Sequence, residues 1–169
     1  MVGVQRQAGL SHLEFSVMLA VLALIWLAAL NRLHEVQEMG EKTAVEMTIR
    51  NIQSGLRLEM SERIMTKHES SIVEMAGSNP VNWLEKKPDN YLGEFPGIPD
   101  RFSSGSWYFD TSRHEISYRP ALQHNLECRQ CERIGGDIIL SWRIARAANP
   151  MFGRGDRVGV VATAIYRWF

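Results

Sequence analysis

The sequence predicts an α+β fold in which one long N-terminal helix packs on a C-terminal antiparallel sheet of about four strands. No proline occurs before Pro80, so the first part of the chain contains no obligate helix breaker. A proline- and glycine-rich stretch follows at residues 77–106. Four short strand patterns come after it with no helical pattern between them. Strands joined without intervening helices indicate an antiparallel sheet.

The predicted helix begins with an apolar run that is typical of a membrane span. Leu13 to Leu30 is about 18 residues, or about 27 Å at 1.5 Å per residue, which is just enough to cross a bilayer core. A secretory signal peptide is disfavoured, because the run is long for one and no A-x-A cleavage pattern follows. A buried core helix is the other alternative, but core helices rarely lack a polar stripe. Residues 10–30 are therefore predicted to be the membrane-spanning half.

Over residues 31–76 the predicted helix becomes amphipathic. The sequence has no sustained a/d heptad, so a domain later in the chain, rather than a coiled-coil partner, is expected to cover the apolar stripe. The opposite face is predicted to be polar and to carry Glu35, Glu38, Glu41, Lys42, Glu46 and Arg50. The stripe itself recurs largely at three- and four-residue steps and consists of Leu33, Val36, Val45, Ile49, Ile52, Leu56, Met60 and Ile64.

Residues 77–169 are predicted to form a wrapping loop and the sheet. Trp83, Tyr91 and Phe95 give the loop apolar anchors that a disordered linker would lack. The segments "SWYFD" and "HEISYR" flank a polar turn and read as a hairpin. "DIILSWRIA" and "RVGVVATAIYRWF" supply the remaining two predicted strands.

Composition excludes several classes of function. Nineteen Lys and Arg balance nineteen Asp and Glu, so there is no global basic field to bind nucleic acid. The sequence contains neither a G-x-S-x-G elbow nor a phosphate-binding glycine loop, and we expect no enzymatic activity and no cofactor. The histidines share no ligand spacing, and no metal site is expected; they are His12, His34, His68, His114 and His124.

Glu14 is the one carboxylate at the start of the apolar run. Such a side chain costs roughly 2.5–3.5 kcal/mol at a bilayer centre on insertion scales, so its presence calls for a reason. In the simplest interpretation its carboxylate only reaches back to the membrane interface. The alternative is a specific cationic partner, because an unpaired charge in apolar surroundings is costly.

Gly9, Leu10, Glu14 and the uninterrupted apolar run resemble the N-terminus of type IV pilins and of the pseudopilins of type II secretion. The long helix, wrapping loop and antiparallel sheet resemble the rest of that fold, and "GSWYFDTSRHEISYR" is similar to its hairpin segment. The chain departs from the family pattern in three ways. Leu10 stands where Phe is commonest, "LSHLEF" with His12 near the membrane edge replaces the usual "FTLIEL", and the N-terminal helix has no proline. These departures favour a minor pilin over a major one.

The resemblance implies that residues 1–9 are a leader, cut by a prepilin peptidase after Gly9. The new amine of Leu10 would then be methylated and keep its charge. In a filament Glu14 would pair with the amine of a neighbouring subunit. The implied partners are other pilin or pseudopilin subunits, an inner-membrane assembly platform and the lipid bilayer. The C-terminal part would lie in the periplasm, on a single-pass inner-membrane protein that later joins a pilus or pseudopilus.

Two other functions stay open beside the minor pilin. One is a pseudopilin of a type II secretion system, which the sequence does not separate from a pilus subunit. The other is a membrane-anchored periplasmic binding domain that forms no filament and needs neither Gly9 nor Glu14.

Cys128 and Cys131 form "CRQC", and four states are considered for them. In an exported compartment a local disulfide is expected. Free thiols and a zinc site that recruits His114 and His124 are alternatives. A redox pair is the least favoured state, because the βαβ context of such motifs is absent.

Overall fold

The computed structural model describes residues 11–67, 69–147 and 157–169 of the chain. The chain divides into two compact units, residues 1–37 and 38–169. The helix α1 spans His12–Met65 and so contributes to both units. Two short 3-10 helices follow it, Glu69–Met75 and Pro80–Trp83. The strands of the described residues are β1 Tyr91–Phe95, β2 Ser106–Asp110, β3 Glu115–Arg119, β4 Leu126–Cys128, β5 Arg133–Ile134, β6 Asp137–Ile138, β7 Leu140–Ala147, β8 Arg157–Ala162 and β9 Tyr166–Trp168.

The described part of the first unit is the start of α1, and every residue from 11 to 37 is exposed. Large apolar side chains such as Leu24 and Trp26 are two-thirds exposed. A core helix of a soluble domain would bury such residues. Within the described residues, α1 is the one helix that is long and apolar enough to cross a membrane.

In the second unit the predicted stripe of α1 packs on the sheet. Val45, Ile52 and Leu56 are buried there. The stripe is shorter than predicted, because Ile64 is half-exposed in the last turn and Leu33 and Val36 are exposed residues of the first unit.

The principal sheet has five strands in the order β1-β2-β3-β7-β8. The predicted α+β class is confirmed, and the β2–β3 hairpin and the β3–β7 and β7–β8 pairs are antiparallel as expected. The wholly antiparallel arrangement was wrong, since β1 runs parallel to β2. The sequence predicts a loop here, because Pro80, Pro88, Pro96 and Pro99 exclude a long helix from the stretch that contains β1.

The last predicted strand, residues 157–169, is two strands. β8 belongs to the principal sheet, whereas β9 pairs with β4 in a separate two-stranded sheet. Strands β5 and β6 form a second two-stranded sheet.

Both faces of the principal sheet are covered near its centre. Trp107 and Phe109 of β2 lie in the core that faces α1. Tyr108, which points to the other face, packs with Phe102 and Ile139. Strand β2 is therefore buried on both sides, as its nearly continuous apolar sequence "SWYFD" requires.

Candidate functional site

Glu14 lies in the first turn of α1, where it takes part in a capping box. Its Oε2 accepts a hydrogen bond from the backbone N–H of Ser11 at 2.9 Å. In return the Ser11 Oγ accepts from the backbone N–H of Leu13 at 3.4 Å. These bonds satisfy donors that a helix N-terminus otherwise leaves free. The spacing S-x-x-E in the sequence is the usual signal for this motif, and our sequence reasoning missed it.

The cap uses only one oxygen of the Glu14 carboxylate. Among the described residues, no hydrogen bond reaches Oε1. Glu14 is also the only Asp, Glu, Lys or Arg between Ser11 and Asn31. The site is thus a carboxylate with a free oxygen at the edge of an exposed apolar surface. Gly9 and Leu10, the predicted processing residues, lie outside the described residues.

A second carboxylate, Glu38, is buried in the core of the second unit with only 2% of its surface exposed. It accepts hydrogen bonds from the backbone N–H of Asn125 at 2.8 Å and from the Asn125 Nδ2 at 2.9 Å. The indole N–H of Trp168 donates a third bond at 3.1 Å. The prediction that Glu38 lies on a polar face was wrong, because these donors take the place of water.

Glu41, one turn later, binds the segment before Asn125. It accepts from the Tyr118 hydroxyl at 2.8 Å and from the backbone N–H groups of Ala121 and Leu122 at 2.6 and 2.9 Å. Burial raises the pKa of the Tyr118 hydroxyl, and the hydrogen bond to Glu41 raises it further. Together Glu38 and Glu41 fix residues 118–125 and the end of β9 against α1.

The sequence carried a signal for these two carboxylates. Positions 38 and 41 extend the stripe of Val45, Ile52 and Leu56 backward at helical spacing. The prediction that these two positions are exposed rested only on their being glutamates, a residue type that is rarely buried.

The sulfurs of Cys128 and Cys131 lie 2.03 Å apart, with their Cα atoms 5.6 Å apart, as the disulfide prediction expected. Bonded sulfurs offer no thiolate to a metal, so zinc and free thiols lose support. The described residues contain no group of three or more metal-ligating side chains. His114, a proposed zinc ligand, instead places its Nδ1 2.9 Å from the Gly77 carbonyl oxygen.

An open cavity of about 360 Å³ lies between α1 and β9. Val45, Tyr166 and Trp168 supply its apolar lining. The charged residues that line it already have partners, since Lys42 pairs with Glu46 and Arg167 with Glu127. The cavity therefore offers no unpaired charge to a ligand.

We compared the chain with protein-family models, with curated proteins and with solved structures, and none of the three comparisons gave a match. The structure does have one long apolar N-terminal helix, the later part of which packs on a sheet, an arrangement like that of pilins. Membership of the pilin family stays a prediction.

Proposed function

We propose that this protein is a pilin-like structural subunit, a minor pilin that is cleaved after Gly9 and incorporated into a type IV pilus or related filament. One observation carries the proposal. Residues 11–37 are an exposed and largely apolar helical segment, and it starts with a carboxylate that has one oxygen free.

The exposed apolar surface of this helix requires an apolar environment both before and after assembly. Burying a large aliphatic or aromatic side chain gains roughly 1.5–3 kcal/mol, so a segment with many of them is driven out of water. Lipid satisfies this requirement before assembly. The helices of neighbouring subunits satisfy it afterwards.

The free Oε1 of Glu14 provides a specific contact point between subunits. Cleavage after Gly9 would create an amine on Leu10, the residue just before the cap. In a filament, the amine of one subunit would pair with Glu14 of the next and set the axial register. A pseudopilin of a type II secretion system would use the same contact and is the alternative within this class.

The capping box favours a second candidate function, a membrane-anchored periplasmic binding domain. Because the box gives Glu14 a role within a single chain, an anchor that never assembles could also keep this residue. An anchor, however, needs no cleavage at Gly9.

Processing separates the two candidates. We expect mass spectrometry of the protein from cells with an active prepilin peptidase to show an N-terminus at Leu10. Gly9→Val should block cleavage, because a branched side chain would occupy a position that takes glycine in the family. Gly3→Val, in the same leader, is the matched control and should be cleaved normally. A mature protein that still begins at residue 1 would contradict the proposal and favour the anchor.

A further inference from the structure

The two edges of the principal sheet are built differently. Strand β1 is interrupted by an irregular register between Tyr91 and Glu94, and Pro96 follows it directly. Both features obstruct the addition of another strand. The opposite edge strand, β8, pairs without interruption, and residues 158–165 contain neither a proline nor a charge.

The hydrogen bonds of β7 and β8 show which peptide groups point outward. The Thr163 N–H donates to the Ser141 carbonyl at 2.9 Å, beyond the end of the β7–β8 pairing. Because bonding alternates along an antiparallel strand, Val161 and Gly159 also face β7. Val158, Val160 and Ala162 therefore present their N–H and C=O groups away from the sheet.

An independent contact agrees with this assignment. Ile144 lies opposite Val160, and its carbonyl accepts from the Gly77 N–H, on the side away from β8. Among the described residues, no backbone hydrogen bond from another segment reaches the outer edge of β8. Ile72 and Met75 pack with Val158 on the face toward α1, so that face is covered, whereas no described segment pairs with the outer edge.

The surroundings of this edge are apolar and basic. Val161 is 43% exposed, and Ile165, just after β8, is 93% exposed. On the neighbouring strand β7, Arg143 and Arg146 are exposed on opposite faces of the sheet, because their positions differ by three. Neither forms an ion pair with a described residue. Glu115 on β3 interacts with Arg143 at longer range. A strand added to β8 would lie about 10 Å from β7, two strand spacings, within reach of an arginine and a glutamate side chain that extend toward each other.

We propose that β8 is a docking edge for an extended segment of a partner protein that carries carboxylates, which adds as a sixth strand. Its backbone would bond Val158, Val160 and Ala162. Acidic side chains three positions apart, one on each face of the sheet, would extend toward Arg143 and Arg146. A second copy of this chain is the poorer occupant. Residues 158–165 contain no acidic residue, so the β8 strand of a second copy would offer no carboxylate to Arg143 and Arg146.

Two synthetic peptides test this proposal on the full chain in lipid nanodiscs. Each is a valine- and threonine-rich segment with two charged residues three positions apart, glutamates in one and lysines in the other, so that one charge lies on each face of the added strand. Fluorescence anisotropy measures their binding. We expect the glutamate peptide to bind about tenfold or more tightly than the lysine peptide. Ala162→Pro should abolish binding, because it removes an outward N–H without removing a bond between β7 and β8.

Three further variants make the result specific. Ala162→Ser keeps the N–H and should bind as wild type. The double variant Arg143→Glu, Arg146→Glu should reverse the preference in favour of the lysine peptide. The control Arg101→Glu, Arg129→Glu makes an equal charge change at two exposed loop positions and should not reverse it. If circular dichroism shows that Ala162→Pro is misfolded, the peptide preference of the Arg143→Glu, Arg146→Glu variant tests the proposal on its own.

Two results would overturn the proposal. Equal binding of both peptides, unchanged by the charge reversal, would remove the role of the arginines. Self-association of the chain that Ala162→Pro abolishes would assign the edge to a second copy instead of a partner.

Discussion

At the scale of the residue, Glu38 shows how a carboxylate can lie in a core without a cation beside it. Three N–H groups from Asn125 and Trp168 surround it and supply the hydrogen bonds that water would make. The described residues contain no buried side-chain polar atom without a partner. Removing one member of such a group leaves the others buried and unsatisfied, which costs more than the bond itself contributes.

Glu38→Ala should therefore lower the free energy of unfolding of the second unit by about 2–5 kcal/mol, because buried N–H groups of two residues lose their acceptor. Glu38→Gln should have a smaller effect, since one acceptor oxygen remains. The measurement is urea unfolding of the full chain in detergent, followed by tryptophan fluorescence. Glu35→Ala is the control, because Glu35 is exposed and Arg32 is its one ion-pair partner among the described residues. Equal stability of the Glu38 and Glu35 variants would contradict this role.

Single residues are also where sequence reasoning was weakest. Helical spacing placed Val45 and Ile52 correctly, because burial of apolar residues follows from periodicity alone. The burial of Glu38 depends on hydrogen-bond donors of Asn125 and Trp168, 87 and 130 positions away, which no local sequence pattern predicts. The capping box of Glu14 differs from the burial of Glu38, because its signal is the local S-x-x-E spacing. That spacing predicts the box from the sequence alone.

At the scale of the element, α1 depends on a close approach to the 3-10 helix Pro80–Trp83. A Cβ placed on Gly55 would lie 2.7 Å from the Trp83 carbonyl oxygen. Gly40, in the same helix, has nothing within 4 Å of such a Cβ. The two glycines have the same cost to helix formation but very different surroundings.

Gly55→Ala and Gly40→Ala should consequently change stability in opposite directions. Alanine favours a helix by about 1 kcal/mol over glycine, and Gly40→Ala should gain up to that amount. Gly55→Ala should lose about 1–2 kcal/mol, because the added methyl forces α1 and Trp83 apart. Thermal unfolding by circular dichroism measures both. A stabilised Gly55→Ala variant would show that this approach of α1 to Trp83 is looser than the structure describes.

Elements were predicted well where the pattern was regular. The four strands β2, β3, β7 and β8 follow β-branched and aromatic runs between turn residues. Strand β1 was missed because prolines on both sides obscured a five-residue segment. Its parallel pairing with β2 depends on how the whole chain folds, and no pattern within β1 predicts it.

At the scale of the whole molecule, the chain combines a unit with a buried apolar core and a unit whose described apolar residues are exposed. The second unit has a conventional core, whereas the described part of the first unit is helical and exposed throughout. The proposed function uses this contrast. The exposed helix would provide adhesion in lipid or in a filament, and Glu14 would provide register.

The most direct test of this account separates the two roles of Glu14, capping and pairing. Glu14→Gln keeps the capping box, since glutamine also serves at this position, and removes the charge. We predict a variant that is processed after Gly9 and resides in the membrane, but whose amount in sheared filaments falls about tenfold or more, because the neighbour's amine loses its partner in a poorly screened site. Glu35→Gln, an exposed carboxylate later in α1, should assemble as wild type. If Glu14→Gln enters filaments at the wild-type level, the charge of Glu14 has no part in assembly and the central claim is wrong.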